Sequence, residues 1–460
     1  MIFSSKIKEV FGVENATSTA MQIALSECAG IYQGHPRWLW KNDNVKTINF
    51  AKSLCSETAR LTTLAIKITI DGSKRAEWLQ KQIDNIYFKI REWVEYGCVY
   101  GTVIMKPSTD GIDLFIPEKY VITEYKNKTI TGVVFIYQRK ENDKYFTRFE
   151  YHHYVSKEEY TVSNRCFVGD SYNSVSEAVD IRLTPWNGLL EDANVSGMEQ
   201  PAYGVFKTPQ ANNIDINSAI GLPIFSDAIV ELEDLDIAYS RNAKEIKDSK
   251  RILLLDSDRM LPSDGRKLSD LQSNFESNRE AMGLPDMVKN VWGDGASTFY
   301  QEINPTLNTD MRLSGINALL NQIGYKVGYS NGHFVFNETK GIQTATQVEA
   351  DQQRTIQFIK DVRDKLEDCM NDVIAGLNMF ANVYKLAPAG NYEVVYDFSD
   401  ITYNYEEEKT RWWGYVVAGR VPAEYYFMKF EGMSEKEAKQ MVLDAEPKQR
   451  MIWNPIVSGE

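Results

Sequence analysis

The chain has 460 residues, 43% hydrophobic and 25% charged, the composition of a folded protein of two or three domains. Its formal net charge of −13 argues against a protein that grips nucleic acid by its phosphates, which takes an excess of Lys and Arg. No window approaches 18 apolar residues, no secretory leader is apparent at Met1–Val10, and five cysteines without a CxxC pair point to reduced thiols in a cytosolic setting with no membrane span.

Residues 16–33 and 44–64 read as amphipathic helices, separated by the aromatic turn Gly34-His-Pro-Arg-Trp-Leu-Trp40. Ile66–Ile70 alternates like a strand and 74–97 returns to helix. From Val99 to about Ile181 the pattern is β-rich. Thr102–Met105, Ile112–Ile116, Ile130–Tyr137, Tyr145–Tyr151 and Glu159–Val162 fit short antiparallel strands. Residues 182–222 lack a clear period apart from a connecting strand near Tyr203–Phe206.

The segment 223–248 carries acid in its first half (Asp227, Glu231, Glu233, Asp234, Asp236) and base in its second (Arg241, Lys244, Lys247). That order complements a helix dipole. Phe225, Ile229, Leu232, Leu235, Tyr239 and Ile246 form one narrow apolar stripe, and such a helix packs beside copies or partners. Ile252–Leu255 reads as a strand, and 256–303 is turn-rich with a short helix near 268–281. Residues 308–323 read as a helix with Asn308 as N-cap.

Gly324, Gly328, Gly332 and Gly341 punctuate the next stretch. The longest helix follows at 344–384. Its apolar residues Ile359, Val362, Leu366, Met370, Val373, Leu377 and Phe380 recur at near-heptad steps, with Gly376 a candidate bend. Tyr392–Phe398 alternates as a last strand, and short helices end the chain. Gly419 suits a C′ stop, Pro422 an N1 and Ser434-Glu-Lys-Glu437 a capping box.

No GK dipeptide occurs, which excludes a standard P-loop motor, and no GxSxG, HExxH or GxGxxG stands in a fitting context. His152 and His153 are adjacent in a strand, so they point to opposite faces and make a poor metal pair. Asp256-Ser-Asp258 reads as a solvated turn, and Trp412-Trp413 as packing. Catalytic residues, metal ligands and cofactors are therefore not expected.

Three stretches in this order resemble the portal proteins of tailed bacteriophages, in the branch found among long-tailed phages of low-GC Gram-positive bacteria. They are Ile229-Val-Glu-Leu-Glu-Asp-Leu-Asp-Ile-Ala-Tyr239 running on to Lys250-Arg-Ile-Leu-Leu-Leu-Asp256; Thr344-Ala-Thr-Gln-Val-Glu-Ala-Asp-Gln-Gln-Arg-Thr355; and Val394-Val-Tyr-Asp-Phe-Ser-Asp400 through Ala418-Gly419 to Gly432-Met-Ser-Glu-Lys-Glu-Ala438. The resemblance covers about 220 residues and fits the N-terminal half more loosely.

It implies an α+β, multidomain portal fold. Residues 1–222 would form the wing, 223–248 the first stem helix, 249–303 a small α/β clip and 304–323 the second stem helix. The tunnel-loop region would be 324–343, the long helix and wing return strand 344–401, and a helical crown 402–460. Such subunits form a ring, usually of twelve, at one vertex of the virion capsid, assembled in the bacterial host cytoplasm. The ring passes double-stranded DNA without reading sequence. The implied partners are the terminase large subunit, the scaffold and major capsid protein, and a head-completion or adaptor protein.

Twelve copies would carry on the order of −156 charges, twelve times −13. A negative bore repels phosphates within a Debye length of roughly 8–10 Å and lets DNA slide. Candidate DNA-facing residues are Lys244, Lys247, Lys250 and Arg251 at the stem-to-clip junction and Tyr325, Lys326, Tyr329, Asn331 and His333 in the loop. Phe225, Ile229, Leu232 and Tyr239 would pack between subunits. The competing readings are a phage head or baseplate component without a channel, and a metal-dependent nuclease using scattered Asp and Glu.

Overall fold

The computed structural model describes residues 3–40, 45–108, 111–248, 252–256, 287–291, 300–303, 308–335, 345–398, 405–431 and 433–445. The chain divides into two compact units, Met1–Phe398 and Ser399–Glu460. The first combines helices with mainly antiparallel sheets, an α+β arrangement, and the described part of the second is helical.

Five helices open the first unit: α1 (Ser4–Phe11), α2 (Thr19–Tyr32), α3 (Phe50–Thr62), α4 (Lys74–Asp84) and α5 (Tyr87–Tyr100), with strand β1 (Lys67–Asp71) between α3 and α4. The helix expected over 44–64 starts only at Phe50. Asn49 sits in the left-handed region at φ 52. The amides of Lys46 and Ile48 donate instead to Ser240 Oγ at 2.8 Å and Asp236 Oδ1 at 2.9 Å. Amides engaged by distant side chains are lost to a helical ladder. The single helix expected over 74–97 is two, parted at Asn85–Ile86, where Ile86 turns into the core.

Nine strands follow: β2 (Thr102–Ser108), β3 (Gly111–Phe115), β4 (Tyr120–Lys126), β5 (Thr129–Glu141), β6 (Lys144–Ser156), β7 (Glu159–Gly169), β8 (Glu177–Val179), β9 (Asp192–Val195) and β10 (Gly204–Lys207). One sheet has the order β10-β2-β3, and a second runs β4-β5-β6-β7-β8 with β9 also paired to β7. Asn127-Lys128 and Asn142-Asp143 turn the β4–β5 and β5–β6 hairpins with all four φ angles positive, the geometry whose twist suits a two-residue turn. The larger sheet is covered on both faces. Ile130, Val133 and Phe135 meet α2, β2 and β3, while Val134 and Ile136 meet Phe3 and Ile7 at the N-terminus. Strand β4 escaped the sequence reading for this reason. Tyr120 and Ile122 serve one core and Val121 the other, so no period of two shows.

The remainder of the first unit is α6 (Ile229–Asp248), β11 (Ile252–Asp256), β12 (Met287–Val291), β13 (Tyr300–Ile303), α7 (Thr309–Val327), α8 (Ala345–Val383) and β14 (Glu393–Asp397). The short helix expected near 268–281 lies outside the described residues. Helix α8 runs unbroken for 39 residues. Its buried stripe, including Ile359, Val362, Leu366, Met370, Val373 and Leu377, is filled by the chain's own β10, β2, α3 and α4. Gly376 is a contact point in this helix, since an added Cβ would lie 2.9 Å from the Ala202 carbonyl oxygen. Gly204 faces α8 likewise, and a Cβ there would collide with the Cys369 carbonyl.

Two buried arginines tie distant segments to α8. Arg75 donates to the carbonyls of Asn378, Ala387 and Pro388 and to the side-chain oxygens of Asn378 and Asn382. Arg363 donates to the carbonyls of Leu61 and Thr62 at 3.0 and 3.1 Å, where a cation suits the C-terminus of α3. Strand β14 then returns to pair antiparallel with β1, Ile68 opposite Tyr396 and Ile70 opposite Val394.

In the second unit α9 (Tyr405–Val417), α10 (Ala423–Phe430) and α11 (Glu435–Ala445) pack through Trp412 on Phe430 and Trp413 on Tyr426. Gly419 follows α9 at φ 67. Pro422 stands at the N-cap of α10 rather than at N1. The capping box forms, with the Ser434 amide donating to Glu437 at 2.9 Å and the Glu437 amide to Ser434 Oγ at 3.4 Å.

The close approach of β10 and α8 makes Gly204→Ala an overpacking change that should destabilise the protein by about 1–3 kcal/mol. Gly315, in α7 with nothing within 4 Å of an added Cβ, gives the control: Gly315→Ala should be stabilising by up to about 1 kcal/mol. Urea unfolding of the two variants checks both signs.

A second test concerns Asp372 on α8, which accepts from Gln200 Nε2 at 2.8 Å. Burial, and then the charge of Asp368, push its carboxyl from an ordinary 3.8 up to about 6. Between those values the native state holds a proton the unfolded chain has lost, so this group's contribution to stability falls as pH rises through that window. Asp372→Asn keeps the acceptor oxygen for Gln200. It should be more stable than the parent at pH 7, and the gain should vanish below about pH 3.8. Unfolding midpoints at both ends of the window decide it.

Candidate functional site

Helices α6 and α7 pack as an antiparallel pair joined by ion pairs at both ends. At one end Lys326 Nζ meets Glu231 at 2.6 Å and donates to the Asp227 carbonyl at 2.9 Å. At the other, Arg312 pairs with Glu245, whose Oε1 also accepts from the Asn308 amide at 3.0 Å. Asn308 itself stands at the N-cap without a side-chain capping bond. Between the helices in sequence lies a three-stranded sheet of order β12-β11-β13, β11 parallel to β12 and antiparallel to β13.

Burial changes along the pair. At the Glu231 end, Phe225, Leu232 and Leu235 are enclosed by the chain itself. Asp236, 2% exposed, accepts from Trp38 Nε1 at 2.8 Å and from the Ile48 amide at 2.9 Å. Burial raises its carboxyl, against these hydrogen bonds, which lower it. Beyond Ser240 no described residue of α6 is buried, and α7 has none before Ile316. The pair is therefore set into the body at one end and solvated at the end beside the sheet. There Ile246 is 53% and Met311 77% exposed.

This geometry corrects part of the expected interface. Phe225 and Leu232 are buried within the chain's own core, which leaves neither side chain exposed for packing between copies. Ile229 is half-buried and Tyr239 exposed on the outer face. A charge at Leu232 would disrupt the fold of the chain itself.

The candidate DNA-facing residues fall into separate groups. Lys244 and Lys247 are exposed near the sheet end of α6, and Lys250 and Arg251 lie outside the described residues. Tyr325 and Lys326 lie at the opposite end of the pair, about 21 Å away at 1.5 Å per residue. Tyr325 is exposed, with the Arg354 guanidinium stacked 3.9 Å over its ring. Lys326 is engaged in the helix pair through Glu231.

The glycine-rich loop expected from 324 begins later and is packed. Helix α7 runs on to Val327, and 336–343 lie outside the described residues. Tyr329 is fully buried, its hydroxyl 2.7 Å from Thr58 Oγ1 and its ring edge-on to Phe358. So enclosed a side chain touches no passing duplex, which corrects its assignment. Ser330 and Thr355 exchange hydrogen bonds at 2.9 and 3.2 Å, so the polar start of α8 serves to hold this turn. His333 packs at a tilt against Tyr329 and lies 3.6 Å from Glu57. Asn331 is exposed. Gly328 has φ +124, and an added Cβ would meet the Phe358 ring at 2.8 Å. Gly332 has φ 78. Both glycines answer to packing and backbone shape.

The sequence reading missed a buried ion cluster on β2 and β6. Glu150 receives Lys106 at 2.9 Å, Arg148 at 3.0 Å and His152 at 2.8 Å. Burial would raise the Glu150 carboxyl, but Lys106 and Arg148 outweigh it and hold it well below the usual range. Burial lowers His152 despite Glu150, so the ring is neutral, donating from Nε2 and accepting the Tyr160 hydroxyl at Nδ1. The signal was present: Arg148, Glu150 and His152 alternate on one face of β6. His153 is on the other face, 3.0 Å from Glu124. Cys166 lies opposite Arg148 and His153 opposite Thr161, so these two do not meet. All five cysteines are buried free thiols. Among the described residues no cluster of three His, Cys, Asp or Glu is placed to hold a metal, and no helix is long and apolar enough to cross a membrane.

No protein-family model matches the chain, and no curated protein matches it.

The packed turn after α7 yields its own test. Gly328→Ala should lower stability by about 1–3 kcal/mol through the Phe358 clash and the positive φ. Exposed Asn331→Ala should stay within about 0.5 kcal/mol of the parent. Thermal and urea unfolding distinguish them; equal effects would show that the turn is loose.

Proposed function

We propose that this chain is the subunit of a ring-shaped portal, a conduit at a phage capsid vertex that passes double-stranded DNA during packaging and ejection. The observation that carries the reading is the α6/α7 pair: antiparallel, pinned by ion pairs at both ends, solvated where it meets the β11–β13 sheet. Two helices that leave the core together gain little from burial in a single chain, and a helix pair in water is marginal by itself. Neighbouring copies supply the missing contact. Tyr239 and Met311 are exposed apolar side chains available for it.

The order of parts agrees with that reading. A helical and β-rich body precedes the pair, the 39-residue α8 follows it, β14 returns to β1, and a separate helical unit ends the chain. In a ring, the α6/α7 pair is the stem, the small sheet the clip and the last unit the crown. The net charge of −13 per chain keeps the bore unattractive to phosphates. Lys244 and Lys247 then form a basic ring at the clip end, and Tyr325 with Asn331 the fringe at the other. Terminase, scaffold and major capsid proteins, and a head-completion protein are the partners of such a ring in the virion.

Native mass measurement tests this directly. Twelve chains of 52.6 kDa give a particle of roughly 0.6 MDa, and thirteen would fit equally well. Tyr239→Asp should shift the ring toward monomers whose circular dichroism is unchanged. A parent protein that stays monomeric at micromolar concentration in several salt conditions overturns the reading, as does Mg²⁺-dependent nuclease activity of the purified chain.

A further inference from the structure

Above the Lys106–Arg148–Glu150–His152 cluster lies a cavity of about 530 Å³, within the range of small-molecule sites. Its floor is the ion cluster on β2 and β6. One wall is the last turns of α8 with Met379, Phe380 and Val383, and the mouth carries Trp186 and Leu190. The floor is unbalanced. Two cations share the single carboxylate of Glu150, and His152 is neutral, which leaves one positive charge in a place nine-tenths enclosed. Asp113 and Arg139, of opposite charge, also line the cavity, and the Asp113 charge acts on Lys106.

Hydrogen bonding is incomplete in the same place. Arg148 donates from one terminal nitrogen to Asn164 Oδ1 at 3.2 Å, and its other lies 3.0 Å from Glu150 Oε2 as an ion pair outside hydrogen-bonding geometry. Its Nε has no acceptor among the described residues, and neither the Tyr137 hydroxyl nor Glu150 Oε2 has a hydrogen-bond partner there. Lys106 uses two of its three protons, on Glu150 and on the Pro107 carbonyl. Tyr137 covers one side of the guanidinium at 4.1 Å and Trp186 packs over it at 5.2 Å. An unmet cationic donor in a buried site is unfavourable until an acceptor arrives.

We propose that this cavity binds a small amphipathic carboxylate, its head at Arg148 and Lys106 and its apolar body along Met379, Phe380 and Val383. A single negative charge completes the floor, an oxygen acceptor meets Arg148 Nε, and the α8 wall takes the hydrocarbon. Trp186 is half-buried and packs over the guanidinium. The inference is independent of the portal reading, because the floor and walls come from one chain.

Octanoate is the probe, titrated calorimetrically into the intact full-length chain, with octanol and octylamine as neutral and cationic counterparts. Octanoate should bind saturably with a Kd below about 1 mM, and the counterparts at least about tenfold more weakly. Arg148→Met should abolish binding. Leu190 is 58% exposed at the mouth, so Leu190→Asp should leave the fold intact and weaken octanoate at least about tenfold by like-charge repulsion. Leu183, 75% exposed and outside the cavity lining, provides the control: Leu183→Asp should bind as the parent does. Equal binding of octanol, tighter binding of octylamine, no saturation, or an undiminished Leu190→Asp each overturns the proposal.

Discussion

The close contact of α8 with the strand β10 is the constraint on which the first unit depends. It exists because Gly204 and Gly376 present no side chain where the two backbones meet. With that approach granted, α8 buries residues from Phe358 to Ala381, each apolar side chain contributing about 1.5–3 kcal/mol relative to exposure. The same helix holds α3 through Arg363, α4 through Arg75 and the turn after α7 through Thr355. The two arginines hydrogen-bond to backbone carbonyls and amide oxygens. They act as struts between segments some 300 residues apart in sequence.

Against this well-filled body the α6/α7 pair is a contrast within one molecule. Where Asp236 accepts from Trp38 and Ile48, α6 is part of the core. Beyond Ser240 none of its described residues is buried, and Glu245 there pairs with Arg312 of α7. The acid-to-base gradient along α6 belongs to both regimes. Glu231 near its start meets Lys326 in the last turn of α7, a pair that also suits both helix dipoles, whereas Glu245 near its end meets Arg312 in the first turn of α7 against them. The pair is thus buried at its root and exposed toward the sheet.

The ion cluster beneath the α8 C-terminus obeys a different logic. A buried carboxylate held by two cations and a neutral imidazole specifies geometry more than it adds stability, because removing these groups from water opposes their attraction. Its excess charge and unmet Arg148 Nε are local features of one chain, and they draw the cavity above it into chemistry unrelated to the solvated helix pair.

Periodicity in the sequence determined what a local signal can determine. The long helix of 345–383, the strands of the meander, the return strand and the capping box of Ser434 all follow from side-chain spacing acting over a few residues. Tertiary structure decided where those signals are spent. It broke the helix before Phe50 by lending the amides of Lys46 and Ile48 to Asp236 and Ser240. It hid β4 by covering both of its faces. It turned Leu232 and Tyr329 inward, and made Gly328 a contact point and Gly376 another where a bend was expected. An apolar stripe states only that a face avoids water. Whether the chain or a second copy covers that face depends on segments hundreds of residues away, and no window of the sequence contains both.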